Sequence, residues 1–146
     1  MPNRPISQVI QEQDKGFVVV PVGTSVRNVA WLMKEKHATA VLVVRDDHLA
    51  GICSERDIVL GVVAEDQNPD QIAVDEIMTS RPTTILAHKP FGHALHLMYE
   101  GGFHHLPVVN DEGVPVGLLC TRDALSIDAV RFSEELVRRE EIAIIL

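Results

Sequence analysis

Apolar positions along the chain follow two different periods, and the switches between them outline the elements. Phe17-Val18-Val19-Val20-Pro21-Val22 is a short β-branched run, which predicts a strand. Gly23-Thr24-Ser25 offers a turn and an N-cap, and Val26, Val29, Ala30 and Met33 then recur at i, i+3, i+4 and i+7, one face of an amphipathic helix. His37-Ala38-Thr39 closes that helix. Residues 40–44 and 49–54 predict two strands joined by the polar turn Arg45-Asp46-Asp47-His48, hence a hairpin. A second helix is expected over residues 55–65, followed by a polar linker. The same order then restarts: a lead-in Ile77-Met78-Thr79, a strand over 83–86, and a helix over 91–101 with Ala94, Leu95 and Met98 inward. Gly101-Gly102 ends that helix, and a hairpin from 106–109 and 116–119 turns at Asn110-Asp111-Glu112-Gly113. A last helix is expected from Arg122 to about Glu141, carrying the i, i+4 pairs Glu134/Arg138 and Glu135/Arg139. Its apolar end, 142–146, predicts packing on the body or on a partner chain. Ahead of the first strand, Ile6, Val9 and Ile10 predict a short helix packed on the body.

The two halves share a segment. Gly51-Ile52-Cys53-Ser54-Glu55-Arg56-Asp57 recurs as Gly117-Leu118-Leu119-Cys120-Thr121-Arg122-Asp123, 66 residues later and without a gap. The chain is therefore expected to be two copies of one strand–helix–strand–strand–helix unit. A three-stranded sheet with two helices on one face leaves its other face bare, and two such units can bury those faces against each other. The predicted fold class is α/β (α+β), with two tandem β-α-β-β-α units packed sheet to sheet about a pseudo-twofold axis. The expected boundaries are 5–66 for the first unit, 67–76 for a linker, 77–130 for the second unit and 131–146 for a C-terminal helical extension.

Composition narrows the function classes. The chain is 46% hydrophobic but only 4% aromatic, so the core must be aliphatic. A formal charge of −8 repels nucleic-acid phosphates and argues against a duplex-binding role. A small anionic ligand remains compatible, because a few local Arg, His and backbone N–H groups can hold it. Cys53 and Cys120 sit in apolar runs, where a free Cys behaves as a small hydrophobe, and their spacing supports neither a disulfide framework nor a CxxC metal site. The first residues contain no apolar signal core, and no apolar run approaches the roughly 18 residues of a membrane span. The expectation is a cytoplasmic protein without a membrane partner.

A strand that ends in Ser-x-x-Asp and opens a helix gathers N–H groups and the positive end of the helix dipole at one point, which is an anion site. An Asp there can accept two hydrogen bonds from a ribose diol, and an Arg adds a bidentate phosphate partner. The same Ser54-x-x-Asp57 also has the form of a capping box, which needs no ligand. His104 and His105 are neighbours on a strand and point to opposite faces, so both cannot line one cavity unless the backbone turns. His93 and His96, with His88 or His104, suggest zinc by spacing, but no Cys or carboxylate completes a usual set. A thiol enzyme built on Cys53 or Cys120 is disfavoured by their apolar surroundings, and no P-loop, Rossmann or Gly-x-Ser-x-Gly pattern occurs. No catalytic residue and no metal site are expected, and Trp31 reads as packing or a dimer surface.

Taken together, the repeat resembles the cystathionine-β-synthase (CBS) domain, and the chain resembles a stand-alone CBS pair, or Bateman module, over roughly residues 5–130. The matching text is Val22-Gly23-Thr24-Ser25-Val26, the two Gly-to-Asp segments at 51–57 and 117–123, Ile77-Met78-Thr79 and His104-His105-Leu106-Pro107-Val108-Val109. The resemblance implies a non-enzymatic regulatory module that binds an adenosine-containing small molecule between its units. AMP is the first expectation, with ATP, NAD or S-adenosylmethionine as alternatives and no required cofactor. It implies ribose binding by Asp57 and Asp123. Ser54, Arg56 and Arg122 would lie near phosphate, as would His104 and His105, and Thr79 and Thr83 would lie beside adenine. Family cavities combine one unit's Asp motif with the other unit's strand. The Asp57 cavity would then receive Thr83, His104 and His105, and the Asp123 cavity Phe17, Ala38 and Thr39. Cys120 stands where the family pattern has Ser or Thr, which makes the Asp57 site the expected competent one. A homodimer through helix faces is expected, with a regulated protein as a further partner. The alternative is a ligand-free structural or dimerisation module that acts through a protein partner.

Overall fold

The computed structural model describes residues 3–124. The expected C-terminal helix beyond Ala124, with its ion pairs and apolar end, lies outside the described residues.

The first sheet is built from β1 (Val19–Pro21), β2 (Ala40–Arg45), β3 (His48–Ser54) and β4 (Thr79–Ser80), in that spatial order. β1 runs parallel to β2, and β2, β3 and β4 pair antiparallel. Between β1 and β2 lies α2 (Val26–Lys36), whose N-cap Ser25 accepts a hydrogen bond from the Asn28 N–H. It buries Val26, Val29 and Met33, as the spacing predicts, and ends at His37 in the left-handed conformation (φ 52°). After β3, the expected helix over 55–65 is only partly regular. α3 covers Glu55–Ile58 and widens into a π-helical stretch at Val59–Val63.

The second sheet is β5 (Ile85–Leu86), β6 (His105–Val109) and β7 (Pro115–Cys120), with α4 (Phe91–Gly101) between β5 and β6. β5 is parallel to β6 and β6 antiparallel to β7, the same pattern as in the first sheet. Thr83 and Thr84 fall outside β5, so that strand is shorter than expected. Residues 121–124 open the next helix.

The period of two in β2 explains how the halves join. Val41 and Val43 point to the helices and enter a core with Val20, Val29, Met33, Cys53 and Val74. Ala40 and Leu42 point the other way and pack with Ile52, Phe17, Leu49 and Leu118 of the second unit. This is the sheet-to-sheet layer. The second unit's own core is Ile85, Phe91, Ala94, Met98, Leu106, Val108 and Leu119.

The lead-in segments cross over. α1 (Ile6–Gln11) precedes the first unit, yet Ile6 and Val9 are buried in the second unit's core, and Ile6 N–H bonds the Lys89 carbonyl at 2.9 Å. Residues 74–80 lead into the second unit but pack on the first: Val74 is fully buried there, and its N–H bonds the Thr24 carbonyl at 2.8 Å. Thr79 and Ser80, which the sequence groups with the second unit, form β4 at the edge of the first sheet, making that sheet four-stranded rather than three-stranded. Both crossings need a repeated glycine. A Cβ on Gly51 would lie 2.8 Å from the Thr79 carbonyl oxygen and 2.4 Å from Met78 Sδ, and one on Gly117 would lie 2.5 Å from Ile10 Cγ2.

Gly51→Ala should therefore destabilise the protein by about 1–3 kcal/mol, since the backbone carbonyl it meets cannot step aside as a side chain can. Urea denaturation checks this, and an unchanged midpoint would mean that β4 does not hold the edge of β3.

Candidate functional site

Both Ser/Cys-x-x-Asp motifs sit at the exit of a central hairpin strand, where the chain turns into a helix. At Ser54, the cap of α3, the Asp57 carboxylate accepts the Ser54 N–H at 2.8 Å and the Ser54 hydroxyl at 3.1 Å, while the Asp57 N–H donates to Ser54 Oγ at 3.3 Å. This is the reciprocal capping box that the sequence also allows. At the second motif the backbone half is kept: the Cys120 N–H donates to Asp123 Oδ2 at 2.8 Å. The hydroxyl of Ser54 has only a thiol as its counterpart.

A cavity of about 760 Å³ opens between the units on the Asp123 side. Asp123 and Arg122 line it from the second unit and Phe17, Ala38 and Thr39 from the first, as expected for that cleft, but His105, expected in the Asp57 cavity, lines this one instead. Ser54, Arg56, Asp57, Thr79, Thr83 and His104 are not part of its wall. Thr79, Thr83 and Arg56 are exposed, and Asp57 is half-buried in its capping box. The cavity thus lies on the side where the sequence expects the weaker site. His104 and His105 separate as strand alternation requires: His105 faces the cavity and His104 is exposed.

Two cavity residues escape a reading of the motifs alone. Lys36 and His37, from the end of α2, line the cleft together with Lys15. The 66-residue offset pairs Lys36 and His37 with Gly102 and Phe103, so this cleft holds a lysine and an imidazole that its counterpart lacks. Arg4 also lines it, but is ion-paired with Glu12. Against the chain's net negative charge, the cleft gathers Lys15, Lys36 and Arg122 beside the acids Asp14 and Asp123.

A side-chain hydrogen bond joins equivalent positions of the two halves. Thr39 and His105 are 66 residues apart, hence equivalent positions of the two units, and Thr39 Oγ1 and His105 Nε2 share a bond of 2.9 Å. Burial holds His105 below its ordinary pKa of 6.5, and the neighbouring His104 and Arg122 push the same way. Glu55 and Asp57 pull in the opposite direction, so charges from both motifs reach this ring. The Cys53 thiol is pushed up to about 12, first by burial and second by the Asp57 carboxylate, and is therefore not a thiolate at neutral pH. His93 and His96 are exposed on α4, and His96 lies 3.9 Å from Glu100. Among the described residues no three His, Cys, Asp or Glu side chains are grouped to hold a metal ion.

A His held neutral by folding contributes stability that is complete above its unfolded value and is lost as pH falls through it. Stability should therefore drop as pH is lowered below 6.5, and His105→Gln should flatten that drop. Thermal unfolding between about pH 7 and pH 5 checks the sign, and an equal slope in both proteins would remove His105 as the cause.

Comparisons with known proteins agree with the duplicated fold. The model of the CBS domain matches residues 6–64 and 74–129. A CBS domain-containing protein of Arabidopsis thaliana is 37% identical over 114 residues, 78% of this chain but 21% of its own length. A Methanopyrus kandleri protein described as uncharacterized is 31% identical over 125 residues, covering 83% of this chain and 63% of its own. The chain thus spans less than two thirds of either relative. Among solved structures, a conserved protein from Pyrococcus horikoshii superposes with a TM-score of 0.77 at 28% identity, covering 88% of this chain and 94% of that one. A CBS domain protein from Pyrobaculum aerophilum, solved in complex with AMP, gives 0.73 at 27% identity over 82% and 88%.

Proposed function

The chain belongs to the CBS-domain family, and on that premise we propose that it is a non-catalytic regulatory module that takes an adenosine-containing ligand, AMP first, in the cleft between its units. The observation that carries this reading is the cavity of about 760 Å³ with a carboxylate at a helix start and cations around it. That volume lies in the range of small-molecule sites, about 300–1,000 Å³. Asp123 would accept the ribose hydroxyls. Arg122, with Lys36 and His37 from the facing helix end, would neutralise phosphate, and Phe17 and Leu118 offer apolar surface to the base. ATP, NAD and S-adenosylmethionine share the adenosine and stay in the same class. The AMP complex of the Pyrobaculum protein supports the choice of AMP. The closed capping box of Ser54 and Asp57 favours a structural role for the first motif, as in a module that works through packing alone. Occupancy of the cleft would favour whichever arrangement of the two units binds better, and this is how such a module could act on a regulated protein in the cytoplasm.

Asp123→Ala should weaken AMP binding by about tenfold to a hundredfold, the size of hydrogen bonds to a charged group, while Asp57→Ala changes it little. Titration calorimetry with AMP, ATP, NADH and S-adenosylmethionine decides this. A loss confined to Asp57→Ala would move the site to the other cleft, and no binding of any adenosine ligand would leave the structural reading standing.

We place the expected homodimer contact on the exposed apolar side chains of α2 and of the π-helical stretch. Trp31 on α2 and Val59, Leu60 and Val63 on the π-helical stretch are large apolar side chains between 52% and 66% exposed, more than an isolated chain gains by showing water. Leu60→Asp should convert a dimer to a monomer in sedimentation experiments without loss of AMP binding. A wild-type chain that sediments as a monomer would overturn the assignment.

A further inference from the structure

Gln13 stands where a ribose diol would have to bind, and we infer that it determines which ligands the Asp123 cleft admits; this rests on the nucleotide reading above. Its carboxamide Nε2 donates to both oxygens of Asp123, at 3.2 Å each, and to the Leu118 carbonyl at 3.0 Å. Asp123 Oδ2 also accepts the Cys120 N–H. The carboxylate that faces the cavity is therefore already supplied with donors from its own chain, and a diol must displace the amide to reach it.

The repeat explains how Gln13 comes to be there. Gln13 lies 66 residues before Thr79, and Leu118 lies 66 residues after Ile52. In the first sheet, Thr79 sits opposite Ile52 as part of the edge strand β4. The second sheet ends at β7 with no described strand beyond it. There the side chain of Gln13 takes over the hydrogen bond to the strand edge and reaches the carboxylate as well. Gln13 sits between α1 and β1 in a connection whose neighbours Glu12, Asp14, Lys15 and Gly16 are all exposed. Its own N–H bonds the Ile10 carbonyl at 3.4 Å, near the limit of a hydrogen bond. The segment can shift without unmaking a core.

The selectivity follows from exchange. Beyond its base, a nucleoside brings only hydroxyls, and these replace the Gln13 donors on Asp123 with little net gain. A nucleotide adds a phosphate for Arg122, Lys36 and His37, and that added attraction drives the displacement. The displacement cost is common to AMP and adenosine, so it leaves their ratio to the phosphate contacts but weakens every diol-bearing ligand by the same factor, and a ligand then needs its phosphate to be held.

The test uses Gln13→Met, which keeps the length and removes the donor, with Gln13→Ala as a second variant and thermal unfolding as a check on the fold. Calorimetry on the full chain should show AMP binding about tenfold tighter in Gln13→Met, adenosine gaining at least as much, and 2′,3′-dideoxy-AMP, which has no diol, changing less than about twofold. Amide hydrogen exchange at residues 12–16 should speed up when AMP is added to the wild type. Weaker AMP binding in the variant would make Gln13 a ligand contact and overturn the inference, as would an equal gain for the dideoxy ligand or slower exchange over 12–16. AMP binding that is present and unchanged in the variant overturns the inference alone, whereas AMP binding absent from both proteins overturns it together with the nucleotide reading.

Discussion

Everything in this fold depends on one constraint: each sheet has helices on one side only, and its other face must be covered. The layer of Ala40, Leu42 and Ile52 against Leu118 and Phe17 meets that need. Burying an aliphatic side chain contributes about 1.5–3 kcal/mol, so neither unit is expected to persist alone with this face open to water. The exchanged lead-ins strengthen the same dependence, since Ile6 and Val9 complete one core and Val74 the other. Glycine at 51 and 117 is what lets each crossing segment lie close against the strand beneath it.

The cleft is a by-product of that packing. The two hairpins touch at Thr39 and His105, beside the strand ends where the motifs turn into helices, and again nearer their turns, where the Leu49 N–H donates to the Gly113 carbonyl. The cavity on the Asp123 side is walled partly by the crossing segment 12–17, so its lining is drawn from three parts of the chain that are remote in sequence. Its chemistry differs from that of the opposite end because the duplicated positions have diverged: Lys36 and His37 face Gly102 and Phe103 across the repeat, and Ser54 faces Cys120.

Much of this was legible in the sequence. α2 and α4, the two hairpins and the pseudo-symmetry followed from periodicity and from the 66-residue offset, because those signals are set by burial of one face. The ends of elements were less legible. The helix over 55–65 was readable as apolar and helical, but the pattern carries no signal for its widening at Val59–Val63. The exchange of α1 and β4 was not legible, since hydrophobic pattern says that Ile6 and Val74 are buried and not against which core. At the site, motif reading found Asp123 and Arg122; it singled out His105 but placed it in the other cleft, and strand alternation separated His105 from His104. It passed over Gln13, Lys36 and His37 because no motif contains them, although shifting Thr79 or Phe103 by the repeat length lands on Gln13 and His37.

The left-handed end of α2 at His37 carries a consequence of its own. A helix C-terminus presents carbonyl oxygens and a partial negative charge of about half an electron, and here that end is turned toward the cleft. The helix that opens at residue 121 turns its positive end toward the same space. In the cavity the potentials of these two ends have opposite sign and offset each other, so the sign of a guest rests largely on side chains. Side chains decide the matter: Lys34 and Lys36 in the last turn of α2 offset its carbonyls. A duplicated backbone can in this way host guests of different charge at its two ends, with the choice written in the last turn of one helix.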